Sequence, residues 1–289
     1  MFAHRLADVA AQVQAFLDAR MAALPQGPLR DAMAHANNGG KRLRAFLVVE
    51  SARLHGIPAT RALWPAATIE CLHAYSLVHD DLPCMDDDDL RRGQPTVHRK
   101  WDEATAVLAG DALQSLAFEL TCAPEVSDDP AVQTALALSL AQAAGGAGMV
   151  YGQALDIAAE TRATPLTLDE ITALQAGKTG ALIRWSACAG ARMAGADTGP
   201  LDRYATALGL AFQIADDILD VEGDEATAGK RLNKDAAAGK ATFVSLLGLE
   251  EAKIRATSLV EQAEAALACY GNEAETLKQA ARFVIARKN

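Results

Sequence analysis

The sequence predicts an all-α fold: one domain over residues 1–289, built as a bundle of ten or more helices. Three observations predict it. Apolar residues recur at helical spacing along nearly the whole chain, and strand-type alternation is nowhere convincing. Hydrophobic residues make up 51% of the chain but aromatics only 5%, with Ala abundant, which suits close-packed helices better than sheets. No linker-like shift in composition divides the 289 residues.

The elements follow in order. Leu6, Val9, Val13, Phe16 and Leu17 form a first apolar stripe, broken by Pro25, Gly27 and Pro28. Asn37-Asn38-Gly39-Gly40 reads as a loop, Arg44 to Leu54 as a helix ended by His55-Gly-Ile-Pro58, and Trp64 to Leu82 as another. Gly93-Gln-Pro95 breaks the chain again. Helices follow over residues 103–120, 130–145 and 149–159, and Leu168-Asp-Glu170 opens one with acidic residues in its first turn. Residues 201–221 are continuous helix. The polar stretch 223–239, rich in Gly, Lys and Asp, reads as a mobile loop, and helices close the chain over 242–268 and 273–287.

With 27 basic and 37 acidic residues the formal charge is −10. That disfavours nucleic acid as a partner, and it repels small anions unless metal ions and local Lys/Arg reverse the sign. Cys71, Cys84, Cys122, Cys188 and Cys269 are scattered with no CxxC, as expected of reduced thiols in a cytoplasmic protein. Met1-Phe-Ala-His-Arg5 leads into an amphipathic charged helix and not a signal peptide. Residues 130–155 carry no charge, but their Gln, Ser, Thr and Gly content favours a buried Ala-rich core helix, breaking near Gly145, over a membrane span.

Two Asp-Asp pairs lie far apart, each behind apolar helical residues: Asp80-Asp81 with Asp86, and Asp216-Asp217 with Asp220. Adjacent carboxylates repel, and burying them uncompensated is costly, so a strongly cationic group is expected between the two sites. Oxygen donors with no clustered Cys point to Mg²⁺, which binds through a few carboxylates, water and substrate phosphates. Asp216 and Asp220 share a helix face, as do Asp217 and Asp220. Pro83 ends the first helix, so Asp86 is expected to fold back toward Asp80. For the run Asp86–Asp89 a solvated acidic loop is an equal alternative.

Cations cluster around these aspartates: Lys41, Arg42 and Arg44 after Gly39-Gly40, then Arg91-Arg92, then Lys178 before Thr179-Gly180, then Gly229-Lys230 and Gly239-Lys240. Arg binds phosphate as a fork and Lys as a point charge, although any one of these alone is more often a solvated surface charge. The GxxxxGK[ST] spacing of a P-loop is missing. His73 is two turns from Asp80 on about the same face, where it could cap a phosphate. Tyr75 lies about 7.5 Å below Asp80 along the helix axis, with core packing as the even alternative.

Together these residues resemble the trans-isoprenyl diphosphate synthases, and the match is close to the bacterial farnesyl type. The first motif is Asp80-Asp81-Leu-Pro-Cys-Met-Asp86, continued to Arg91-Arg92-Gly-Gln-Pro-Thr96, and the second is Phe212-Gln213-Ile-Ala-Asp216-Asp217-Ile-Leu-Asp220. Gly40-Lys41-Arg42-Leu-Arg44, Gly152-Gln153-Ala-Leu-Asp156, Lys178-Thr179-Gly180 and Gly229-Lys230 also match, over roughly residues 35–250. Ala45 departs from the usual Pro, and Phe243-Val244 from the usual Tyr-Pro.

The resemblance implies an isoprenoid-synthase bundle around a central cavity, working as a homodimer. It implies that Asp80, Asp86 and Asp216 hold three Mg²⁺ on an allylic diphosphate, with Asp81, Asp217 and Asp220 as direct or indirect helpers. Arg91, Lys178 and Lys230 would hold the same diphosphate. The Thr179 carbonyl and Gln213 would face the developing allylic cation. Lys41, Arg44, His73 and Arg92 would bind isopentenyl diphosphate, and Tyr75 with Ser76 would limit the product to farnesyl diphosphate. A geranylgeranyl diphosphate synthase is the main alternative. A class I terpene cyclase would lack the second Asp-Asp pair, and a non-catalytic subunit would have lost carboxylates or cations.

Overall fold

The computed structural model describes residues 2–222 and 241–286. The loop expected over 223–239, with Gly229, Lys230 and Lys240, lies outside the described residues. The chain divides into two compact units, Met1–Leu138 with Ala189–Ala196, and Ser139–Cys188 with Asp197–Asn289.

The first unit holds helices α1 (Phe2–Ala22), α2 (Pro28–Ala36), α3 (Leu43–Leu54), α4 (Ala59–Asp80), the four-residue α5 (Val97–Lys100) and α6 (Glu103–Thr121). Helix α4 packs along α3 and α6, α2 against α6, and α1 against α3 and α4. Its core includes Leu17, Phe46, Leu47, Ile69, Leu72, Leu113 and Leu120, all fully buried. Fully buried Ala45, Ala52, Ala62, Ala66 and Ala67 add little bulk, so α3 and α4 can approach closely. Helix α4 starts five residues before Trp64, because Pro58 supplies the boundary and Ala59-Thr-Arg-Ala-Leu63 favours helix. The helix tolerates Pro65 at the loss of one backbone hydrogen bond. It ends at Asp80, two residues short of the expected end, because Leu82 precedes Pro83.

Strand structure, unexpected from the sequence, is confined among the described residues to a two-residue ribbon, β1 (Leu90–Arg91) against β2 (Gln94–Pro95). Arg92 (φ 54°) and Gly93 (φ 75°) form its turn with two left-handed residues, the geometry a tight hairpin demands.

Helix α7 (Pro130–Ala144) runs through the boundary at residue 138, and Gly145–Gly148 turn the chain into α8 (Met149–Glu160). Leu136, Leu140 and Ala144 are buried, but Leu138 is exposed, so α7 is amphipathic by contact and not the buried core helix expected. No described helix is long and apolar enough to cross a membrane.

The second unit continues with α9 (Leu168–Gln175), whose Thr167 and Glu170 form a capping box. A π-turn (Ala176–Gly180) leads into α10 (Ala181–Met193), whose residues from Ala189 on belong to the first unit, followed by α11 (Gly199–Glu222), α12 (Phe243–Leu247) and α13 (Leu249–Ala266). A 3₁₀ segment (Ala268–Ala274) and α14 (Glu275–Ala286) complete it. The helix expected over 242–268 is split at Gly248, whose φ of 80° ends one helix and begins the next. Helix α11 packs against α13, α14, α12 and the π-turn, around buried Trp185, Tyr204 and Phe243.

Candidate active site

Each acidic motif lies in its own unit, 80–86 in the first and 216–220 in the second. In the first, the chain past α4 folds back as expected. The Asp86 amide donates to the Asp80 carbonyl at 2.8 Å, and Met85 and Asp87 donate to Leu82. This winds the loop so that Asp86 returns to the end of the helix that carries Asp80.

Asp81 behaves differently from its neighbour. It is 3% exposed, and its Oδ1 accepts from Arg91 Nε at 3.0 Å and also from Arg91 Nη2. Asp88 accepts a longer bond from Arg91 Nη2, at 3.4 Å, and Asp89 pairs with Arg99 at 2.7 Å. Part of the acidic run thus orients Arg91 on the hairpin. Burial pushes the Asp81 carboxyl up, partly offset by Arg91. Burial works against the Arg91 charge too, but Asp81 outweighs it and raises the guanidinium.

The loop before α3 is set by a buried ion pair. Arg42, in the left-handed region at φ 53°, donates to Glu70 at 3.0 Å, to Gln14 at 2.7 Å and to the Asn37 carbonyl. Glu70 also accepts the Ala45 amide at 3.0 Å, a bond that the family's usual Pro could not donate. Arg92 donates to the Asn38 and Gly39 carbonyls at 3.2 Å each. Its guanidinium lies over Gly40, where a Cβ would come within 2.8 Å of Cζ. Lys41 is exposed beside it. His73 feels Arg44, Arg92, Arg91 and Arg42, and its imidazole is held well below its ordinary value by burial first and these cations second. The structure therefore brings His73, Arg44, Arg91 and Arg92 into one electrostatic cluster.

Tyr75 is buried, its ring edge-on to His79 at 5.5 Å, with its phenol bonded to Gln114 of α6. Burial, then the charge of Asp80, raises the phenol. Ser76 donates to the His73 carbonyl at 2.9 Å.

In the second unit, Lys178 pairs with Asp156 of α8 at 2.5 Å. Gly152 lies one turn before Asp156, and a Cβ there would overlap the Lys178 backbone nitrogen. The π-turn carrying Lys178 and Thr179 loosens the usual carbonyl pairing, a geometry common at functional sites. On α11, a Cβ added at Gly209 would lie 3.4 Å from the Gly180 Cα, so α11 runs close to the end of the π-turn. Gln213, Asp216 and Asp220 continue the stripe of Gly209 at helical spacing. Asp217 is rotated by about 100° from Asp216, and its Oδ2 accepts the Phe243 amide at 2.6 Å.

The roles of Asp156, Asp88 and Phe243 were not read from the sequence. Gly152 and Asp156 at i, i+4 gave a usable signal for the first, while the other two depend on long-range or loop contacts.

Among the described residues, no three His, Cys, Asp or Glu side chains form a ready metal cage. Mg²⁺ takes one or two carboxylates and completes its shell with water and substrate phosphates. The donors available, Asp80 with Asp86 and Asp216 with Asp220, are all oxygen.

Fold and side chains define an all-helical protein that sets carboxylates beside Lys and Arg. The chain belongs to the polyprenyl synthetase family, whose sequence profile matches residues 27–284. It is 52% identical to the farnesyl diphosphate synthase of Escherichia coli over 237 residues, covering 79% of this chain and 78% of that one. It is 43% identical to the Haemophilus influenzae farnesyl diphosphate synthase, over 100% of this chain and 99% of the other. The solved structure of an FPP/GFPP synthase from Zymomonas mobilis aligns with a TM-score of 0.89 at 45% identity, covering 99% of this chain and all of that one.

Proposed function

We propose that the chain is a Mg²⁺-dependent prenyltransferase that joins isopentenyl diphosphate to dimethylallyl and then geranyl diphosphate, giving farnesyl diphosphate. The observation that carries this reading is end-to-end likeness to relatives of that name, with both acidic motifs intact. Residues 27–284 match one family profile that spans both units, which supports a single catalytic domain. Five scattered cysteines with no CxxC spacing support a cytoplasmic setting.

Asp80, Asp86 and Asp216 would hold three Mg²⁺, with Asp220 beside the last. When bound, the metal would neutralise diphosphate oxygens and stabilise pyrophosphate as it departs. Arg91 and Lys178 bind the same diphosphate, and Lys230 is assigned with them although it lies outside the described residues. Arg91 is already aimed by Asp81, so less ordering is needed on binding. Gln213 and the Thr179 carbonyl face the carbon that becomes cationic as the C–O bond breaks. Lys41, Arg44, Arg92 and neutral His73 hold isopentenyl diphosphate so that its double bond attacks that carbon. The released pyrophosphate takes the proton lost in forming the new double bond. A longer product is the second reading, favoured because the Zymomonas mobilis neighbour is described as an FPP/GFPP synthase.

Turnover of isopentenyl and dimethylallyl diphosphates with Mg²⁺, with products sized by mass spectrometry, tests both readings. Wild type should yield mainly fifteen-carbon product, and Asp80→Ala or Asp216→Ala should each lower kcat by about 10³-fold or more. Near-wild-type turnover by either variant at saturating Mg²⁺ would remove the two-motif site.

A further inference from the structure

We infer that Asp217 is a positioning residue: its carboxylate tethers the backbone at Phe243 to α11, while the proposed metal role stays with the Asp216–Asp220 stripe. The inference rests on the proposed function and deepens it by dividing the labour within the second Asp-Asp pair.

Four observations carry the tether. Asp217 Oδ2 accepts the Phe243 amide at 2.6 Å, a short charge-assisted bond between residues 26 apart in sequence. Phe243 is the first residue of α12, so its amide has no partner within that helix and needs an outside acceptor. The preceding Thr242 spends its hydroxyl on the Ser245 amide at 3.0 Å, so it does not serve Phe243. The Phe243 side chain is fully buried, so the tether fixes a core residue in place. Asp216, about 100° away around α11, continues instead the stripe of Gly209 and Gln213 that meets the π-turn of Lys178 and Thr179. The first motif repeats the pattern, since Asp81 holds Arg91 while Asp80 and Asp86 share the helix end.

The test compares wild type with Asp217→Ala, Asp217→Asn and Asp216→Asn. It uses two readouts: amide exchange over residues 241–247 in metal-free, substrate-free protein, and Mg²⁺ titration of turnover. Asn keeps an acceptor oxygen but not the charge. Asp217→Ala should speed exchange at Phe243 by about tenfold or more, and lower kcat with less than about a twofold change in the Mg²⁺ requirement. Asp217→Asn should restore most of that protection and recover about tenfold of the lost kcat. Asp216→Asn should leave exchange unchanged and raise the Mg²⁺ requirement by about tenfold. Unchanged exchange in Asp217→Ala would overturn the inference. So would an Asp217→Asn variant whose Mg²⁺ requirement rises as in Asp216→Asn. If wild type shows no Mg²⁺-dependent turnover, the functional reading fails, and the exchange readout still decides whether Asp217 tethers Phe243.

Discussion

His73 shows how a residue's surroundings set its chemistry. Its imidazole is held well below 6.5 by burial and by Arg44, Arg92, Arg91 and Arg42. A neutral ring can donate one N–H to a phosphate without adding to the repulsion among those guanidiniums. The sign of the stability effect follows. Below pH 6.5 the unfolded chain takes up a proton that the folded chain refuses, so stability falls as pH drops through the unfolded value toward the folded one. His73→Gln should therefore flatten the loss of stability between pH 7.5 and 5.5 in urea melts, and an unchanged slope would show that the ring titrates normally. Tyr75 makes a second case. The ring is buried against His79 and Gln114; if the product chain grows along this helix as proposed, a fourth isoprene unit would have to overpack it. Tyr75→Ala should move the main product from fifteen to twenty or more carbons with kcat changed by less than about tenfold. Mass spectrometry of the products checks it, and an unchanged length would make Tyr75 a core residue only. The sequence placed Tyr75 and His73 on the right helix because helical spacing is local. It did not show that Asp81 belongs to Arg91, because that bond depends on a hairpin turn set by two left-handed residues.

At the level of elements, helices with strong caps were legible and breaks made by packing were not. Asp169 and Glu170 in the first turn announce α9, whereas the sequence reading starts α4 at Trp64, although it begins five residues earlier, after Pro58. The split at Gly248 was missed, because one Gly inside an apolar periodic run is a weak signal. The interruption at Lys178-Thr179-Gly180 was visible, but its π geometry was not, since that depends on α8 pressing against it. The contact is made at Gly152, where any Cβ would overlap the Lys178 backbone. A backbone neighbour cannot swing aside as a side chain can, so Gly152→Ala must push α8 and the π-turn apart. The expected cost is about 1–3 kcal/mol of stability, with kcat reduced by at least about tenfold because Lys178 and Thr179 shift together. Paired urea melts and turnover measure both. A variant with wild-type values in each would mean that α8 can slide without disturbing the turn.

For the whole molecule, the all-α class was legible because composition and periodicity agree, whereas apolar surface was not, since periodicity alone cannot separate a face packed within the chain from one left open. Residues 130–155 illustrate this. Expected in the core, they leave apolar side chains in solvent, among them Leu138 on α7, and Val150 (45% exposed) and Tyr151 (52%) on α8, joined about two turns further on by Ile157 (41%). In the first unit α6 likewise exposes Val107 and Leu108. Scattered apolar residues are normal on a surface, but three on a single twelve-residue helix suggest a covered face. The homodimer expected from the sequence would supply the cover, because one self-complementary patch buries both copies at once. Sedimentation at micromolar concentration should give about twice the chain mass of 30.4 kDa. Tyr151→Lys and Ile157→Lys place a charge where the partner would exclude water, so each should weaken association by about tenfold or more, and together they should shift the protein toward monomer. Their far-ultraviolet circular dichroism should stay unchanged, because both side chains are exposed within the chain. A wild type that sediments as a single chain at every concentration would leave the α8 face uncovered and rule out the dimer, and loss of helical signal in the variants would show instead that α8 needs those side chains to fold.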